Sequence, residues 1–387
     1  MSERVKKIRI RVSCGKCGIL EKVQRFSYAY DHSARPECQV SLTMPIRLPS
    51  YNLGAMHPIF EQNLPEGFVR QRITERLRKH IRIDDMLFLA LQRDYGIGRL
   101  QYSSEEFPDV PVGSESLAEI LKWQGSESLF EELLNKYLLQ TSISGVQPKV
   151  LVRDSRATLN MPGLIIKSGL NEYPGLAVNE YFCMAVAKMC GMEVPQNYLS
   201  DDQSLFVVQR FDILENGDRL GVEDFSVLLG ERSGTKYTGS YETLANVVKM
   251  YCASPSKDLE LFFRLVVLST VLGNGDAHKK NFSVIYDDIT KPETIRFSPV
   301  YDIVSTLPYL QNDVPALKMN GQKKSFPKKA ELISFGKRIG VKQPSKTVEQ
   351  IVDTVNDSLK QYKYLFSDYL FIHETIQKTV DRCMARV

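Results

Sequence analysis

The stretch VLGNGDAHKKNFSVIY, residues 271–286, constrains this chain more than any other. An apolar, helix-like run stops at Gly273-Asn274-Gly275, a polar loop follows, and a β-type run, FSVIY, begins at once. Asp276 and Asn281 stand in that loop with four residues between them. This is the Asp-x4-Asn spacing of a phosphoryl-transfer loop: the carboxylate accepts a proton from an attacking hydroxyl, and the amide oxygen serves a hard cation such as Mg²⁺. A second carboxylate is expected one hairpin later, and IRFSPVYDIVST (295–306) places Asp302 at the end of a second strand. A lone Asp is ordinarily a turn or cap residue. Spacing, flanking strands and order together set these three apart from that bland reading.

The rest of the chain supplies a frame for such a loop. Residues 1 to about 45 read as short strands, ending in the half-alternating QVSLTMPIRL. FVRQRITERLRKH and IDDMLFLALQRDYGIGRLQYS predict helices, the second followed by a strand, and SESLAEILKWQ and ESLFEELLNKYLLQ predict two more. From 141 the pattern is β-β-α-β-β: VLV and GLIIK around a polar turn, the helix AVNEYFCMAVAKMC with Gly191 at its stop, then NYLSDDQSLFVVQRFDI. That order is similar to the small lobe of a protein kinase. Beyond 215 the chain turns mainly helical. The expected divisions are 1–137, 138–215 and 216–387.

Two further pieces carry chemistry. TSISGVQPKVLV (141–152) is a small-residue loop that carries a lysine into a strand, which suits either a phosphate cradle or an ordinary hairpin turn. Lys167 closes the apolar run LIIK, poised to set one ammonium against a phosphate; the bland reading is a solvated strand end.

NGDAHKKNFSVIY, SPVYDIVST, NEYFCMAVAKMCGMEVPQ, VVQRFDI and SISGVQPKVLV resemble the HipA family of bacterial serine/threonine kinases, the toxins of HipA–HipB-type toxin–antitoxin pairs. SLTMPIRL, HPIFEQNLPEGFVRQRI and GIGRLQY are similar to that family's N-terminal domain, so the likeness covers most of the chain. The resemblance implies an α+β chain: a bilobal kinase-like fold, with a β-rich N-lobe and an all-helical C-lobe, behind a small α+β N-terminal domain. It implies ATP and Mg²⁺ as cofactors, with Asp276 catalytic and Asn281 and Asp302 on the metal. ATP contacts then fall to Ser144, Gly145, Val146, Gln147, Pro148 and Lys149 of the phosphate loop, to Lys167, and to the hinge Gln209, Arg210 and Phe211. His278, Lys279, Lys280, Asn281, Tyr301 and Asp302 complete that set. Ser142 matches the serine whose autophosphorylation switches the enzyme off, with Ser144 as alternative; a phosphoryl group there adds about −1.5 to −2 charge beside ATP. Glu180 takes the place of the helix glutamate that pairs with the strand lysine, or is a plain helix-surface residue. The loop has one glycine where other kinases have three, and no HRD or DFG triplet is present.

The implied partners are a HipB-like helix-turn-helix antitoxin, operator DNA only through that antitoxin, and a protein substrate of the aminoacyl-tRNA synthetase class. Net charge is +4 over 387 residues with no long basic run, which neither demands nor excludes nucleic acid. No run reaches the ~18 apolar residues of a membrane span, and the basic opening lacks an apolar leader core. Seven cysteines, several within apolar helix-like runs, fit free thiols and a cytoplasmic location. The CGKC pair at Cys14 and Cys17, with His32 and Cys38 further on, fits a hairpin around a Gly-Lys turn; metal and redox readings stay open. Two other functions compete: a small-molecule phosphotransferase sharing the same acid–amide arrangement, and a non-catalytic corepressor subunit.

Overall fold

β1 (Lys7–Val12) shows how the first sheet forms: Ile8, Ile10 and Val12 are buried while Lys7, Arg9 and Arg11 face solvent. That period of two is what a half-buried strand demands. The computed structural model describes residues 4–47, 49–79, 81–105, 113–124, 128–140, 147–155, 163–170 and 172–385. β1 pairs antiparallel with β2 (Gly15–Lys22); β3 (Phe26–Tyr30), β4 (Tyr51–Leu53) and β5 (Gln101–Ser103) complete a sheet of order β4-β3-β2-β1-β5. Its core is closed by α1 (Pro58–Glu61), α2 (Gly67–Leu77), α3 (Asp85–Gln92), α4 (Leu117–Leu121) and α5 (Leu129–Tyr137).

Two expectations for this region change. The β1–β2 turn falls at Ser13-Cys14, and Gly15 and Lys16 already belong to β2. QVSLTMPIRL forms no extended strand: Ser41 and Met44 make one isolated bridge. The turn is fixed from outside, because the buried Glu223 carboxylate accepts from Ser41 Oγ (2.7 Å) and from the Leu42 N–H (2.8 Å). Cys14, Cys17 and Cys38 gather at this edge, and burial pushes the Cys14 and Cys17 thiols up. All seven cysteines are free.

The second sheet runs β6-β7-β8-β10-β9, from β6 (Ser114–Glu115), β7 (Lys149–Asp154), β8 (Leu164–Lys167), β9 (Asn197–Leu199) and β10 (Phe206–Gln209). α6 (Leu176–Met189) lies between β8 and β9 in sequence, which gives the expected β-β-α-β-β order. Val150, Val152, Leu164, Ile166 and Val207 join the core of the first sheet. Phe206 and Val208 turn to the other face and pack with α6. Burial on both faces explains the unbroken apolar runs VLV, LII and FVV.

The last part is built on α7 (Phe225–Leu228), α8 (Tyr241–Tyr251), α9 (Pro255–Leu272), α10 (Lys329–Ile339), α11 (Pro344–Gln361) and α12 (Leu370–Met384). It is not purely helical: β11 (Gly221–Asp224), β12 (Ser283–Tyr286) and β13 (Arg296–Phe297) form a small antiparallel sheet. α9 is the central post, with Phe262, Phe263, Val266, Val267, Leu268, Val271 and Leu272 almost fully buried. It stops at Gly273, whose φ of +72° lets its N–H cap the carbonyls of Ser269 and Thr270. Among the described residues no helix is long and apolar enough to cross a membrane.

Candidate active site

The loop from α9 to β12 is clamped before it reaches Asp276. The Gly275 N–H donates to Thr306 Oγ1 (2.9 Å), and a Cβ on Gly275 would lie 1.9 Å from Asp313 Oδ2, so any larger residue would have to displace that carboxylate. The Asp276 N–H donates to Asn274 Oδ1 (2.9 Å). Its carboxylate then emerges half-buried, with 44% of the side-chain surface open. Oδ1 accepts from the Tyr237 phenol (2.5 Å) and lies 3.8 Å from His278 Nε2. Lost hydration raises this carboxyl to about 6, and the charge of Asp302 adds to the rise against the hydrogen bond from Tyr237. Burial and the nearby Lys236 charge push His278 down to about 3, so its imidazole is neutral at pH 7.

Asn281 closes a single 3₁₀ turn, Lys279–Asn281, and its amide Nδ2 donates to the Asp302 carbonyl (3.4 Å). Asp302 lies in the segment beyond β13 rather than at a strand end, with φ of +58°. A non-glycine residue held left-handed costs of order 1 kcal/mol and marks a constrained position. What constrains it is Lys167, whose ammonium donates to Asp302 Oδ1 (2.6 Å) and also to Glu180 Oε1. Partial burial would raise the Asp302 carboxyl, but Lys167 and Lys149 hold it well below the usual carboxylate range. Burial likewise opposes the charge on Lys167, and the two acids win, raising it above its ordinary value. Glu180, 1% exposed, is the lysine's partner and not a helix-surface residue. Lys149 stands opposite Lys167 in register on β7, itself buried, and burial pushes it down to about 8.

Asp276, His278, Asn281, Asp302, Lys167, Lys149 and Glu180 therefore converge where the second sheet faces the helical half. Tyr301 and Phe211 stack beside them, with ring centres 5.7 Å apart and planes 28° apart. Three further residues of the expected set have side chains held by protein partners. The Lys279 ammonium donates to Glu231, the Thr235 carbonyl (3.1 Å) and Thr238 Oγ1 (3.1 Å). Lys280 pairs with Glu66 (2.8 Å). Arg210 is buried against Asp212 and donates to the carbonyls of Tyr95 and Gly96 (2.7 Å each). At the hinge the backbone N–H of Gln209 donates to Gln196 and that of Arg210 to Gly163 (2.8 Å each). Gln147 and Pro148 are half-buried, and the Pro148 carbonyl accepts from the Ser168 N–H (3.2 Å). Ser142, Ser144, Gly145 and Val146 lie outside the described residues.

The donor set fits a metal–nucleotide. Gln147 Nε2 and His278 Nδ1 are buried with no hydrogen-bond partner among the described residues, and two buried lysines, Lys149 and Lys167, supply positive charge near Asp302. Asn281 and Asp302 supply oxygen donors suited to a hard divalent ion. Among the described residues no group of three His, Cys, Asp or Glu could hold a metal ion. Two residues escaped the sequence reading. Glu66, from the first domain, accepts from Lys236 (2.7 Å), Lys280 (2.8 Å) and Ser233 Oγ (2.6 Å). Tyr237 sits in a GTKYTG loop that no motif spacing ties to Asp276.

This architecture is a two-lobed, kinase-like fold with an added N-terminal domain. Residues 141–362 match the HipA-like C-terminal domain, and residues 8–103 match the HipA N-terminal domain. The chain belongs to the HipA family. The HipA chain of the Shewanella oneidensis toxin–antitoxin complex of HipA, HipB and operator DNA has the same fold: TM-score 0.71, 18% identity, covering 97% of this chain and 96% of that one. A Sinorhizobium fredii protein named "Putative kinase Y4dM" is 28% identical over 87% of this chain and 84% of its own length. A Haemophilus influenzae protein, also named as a kinase of putative standing, is 31% identical over 43% of this chain and 53% of its own length.

Proposed function

We propose that this chain is an ATP- and Mg²⁺-dependent serine/threonine protein kinase acting as the toxin of a toxin–antitoxin pair. The observation that carries the reading is Asn281 bonded to Asp302, Asp302 bonded to the Lys167–Glu180 pair, and the Asp276 carboxylate close enough to feel the Asp302 charge. Asp276 receives the hydroxyl proton of the acceptor and holds that oxygen in line for attack. Lys167 and Lys149 set positive charge against the donor phosphates, with Glu180 fixing the Lys167 ammonium. Asn281 and Asp302 would hold a divalent ion, which would supply charge neutralisation for phosphoryl transfer. The Phe211–Tyr301 stack offers an aromatic surface for adenine. Ser142, or Ser144, is the site of self-modification that silences the enzyme. The likeness to HipA in a complex with HipB and operator DNA supports a helix-turn-helix antitoxin as partner, with DNA reached through it. The acceptor protein is of the aminoacyl-tRNA synthetase class, and the chain works in the cytoplasm.

The test is transfer of labelled γ-phosphate from ATP by the full chain, to itself and to cell extract. Asp276→Ala should abolish it, together with growth inhibition on expression. Incorporation by that variant at the wild-type rate refutes the assignment.

A further inference from the structure

Between α7 and α8 the chain forms a loop that has no part in the proposed phosphoryl transfer. Residues 231–240 lie across the catalytic loop and are bound to it at several points. The Lys279 ammonium bonds Glu231, Thr235 and Thr238, and the Lys279 N–H donates to the Lys236 carbonyl (3.3 Å). Lys236 is anchored to Glu66 (2.7 Å), and Lys323 donates to the Tyr237 carbonyl (3.0 Å). The backbone of residue 237 is thus held from both sides. The ring it carries meets His278 edge-on, with centres 4.9 Å apart and planes 79° apart. Its hydroxyl donates to Asp276 Oδ1 (2.5 Å), yet the residue stays 42% exposed.

An exposed tyrosine fastened this firmly to one oxygen of the candidate catalytic carboxylate has a geometric consequence. A free carboxylate on a single χ2 torsion swings broadly between near-equivalent orientations. With Oδ1 tied to the phenol, and the ring braced on His278, Oδ2 is the oxygen offered to an incoming hydroxyl. This is the logic of a base oriented by a third group. Resting on the proposed kinase reading, we infer that Tyr237 is a positioning residue for Asp276, fixing which carboxylate oxygen accepts the proton of the acceptor hydroxyl. No group is transferred to or from the phenol; it donates one hydrogen bond before and during the reaction.

The test is Tyr237→Phe in the full chain, which keeps the ring on His278 and removes only the hydroxyl. Phosphoryl transfer should slow roughly tenfold, the weight of one hydrogen bond to a charged group, with KM for ATP unchanged. The same substitution is then made in an Asp276→Asn background, with slow residual transfer followed to long times by mass spectrometry. There it should change nothing, because the phenol acts only through the carboxylate. A Phe variant at the wild-type rate overturns the inference, and so does an equal loss in both backgrounds, which is what a merely structural tyrosine gives. Undetectable transfer by Asp276→Asn leaves the first comparison to decide: an unchanged KM for ATP with a tenfold loss in kcat supports the role, and a loss confined to KM overturns it. Failure of the kinase reading is separate, since it shows as no γ-phosphate transfer by the unsubstituted chain.

Discussion

Replacing Arg210 by Met should unfasten the kinase-like lobes from the N-terminal domain. The guanidinium donates to Asp212 Oδ1 (3.0 Å) and Oδ2 (2.6 Å), and to the carbonyls of Tyr95 and Gly96 (2.7 Å each). Neither side chain of the pair is open to water, at 0% and 1% exposure. Methionine fills the space of the stem but leaves Asp212 a buried, uncompensated charge, a loss worth about 3–5 kcal/mol. Two groups soften it. The Gly98 N–H still donates to Asp212 Oδ2 (2.7 Å), and Arg219 still donates to the Gly96 carbonyl. The expected cost is therefore at the lower end, about 3 kcal/mol. Arg210→Met with Asp212→Leu removes the stranded charge and should recover most of the loss, leaving about 1–2 kcal/mol for the lost hydrogen bonds to the backbone at Gly96 and Gly98. Urea unfolding gives the energies, and hydrogen exchange at residues 94–98 and 206–212 shows where the opening occurs. A single-variant cost under about 1 kcal/mol, or a double variant no better than the single, refutes the reasoning.

The remaining expectations concern the site. Asp276 must be ionised to accept a proton, so kcat/KM should fall as pH drops through about 6; a limb near 4, the ordinary carboxylate range, contradicts the account. Lys167→Met leaves Glu180 and Asp302 without their shared cation and should lower transfer by at least about a hundredfold, measured as γ-phosphate incorporation. Glu66→Gln removes the carboxylate that Lys236 and Lys280 share, and should destabilise the chain by about 1–3 kcal/mol while slowing transfer, read by urea midpoint and rate together. Chelation of divalent ions should stop transfer, and added Mg²⁺ should restore it; transfer that persists in chelator argues against the Asn281–Asp302 site.

Much of this protein could be read from local patterns. Alternation wrote β1, unbroken apolar runs wrote the doubly covered strands β7, β8 and β10, and Gly273 marked the end of α9. The Asp276-x4-Asn281 spacing was legible because one loop carries both groups, so chain geometry fixes their separation. The reading failed where a distant charge overrode local preference. QVSLTMPIRL has strand-like alternation, yet Glu223, some 180 residues away, claims the backbone and hydroxyl of its turn. Lysines 279 and 280 look alike beside Asn281, yet one is bound by Glu231 and the other by Glu66 of another domain. Arg210 carries a hinge motif in sequence and a buried inter-domain bond in space. Which side chains form a set of chemical groups is a short-range property, written in spacing. Which partner holds each charge depends on desolvation and proximity across the fold, and those exist only once the chain has closed on itself.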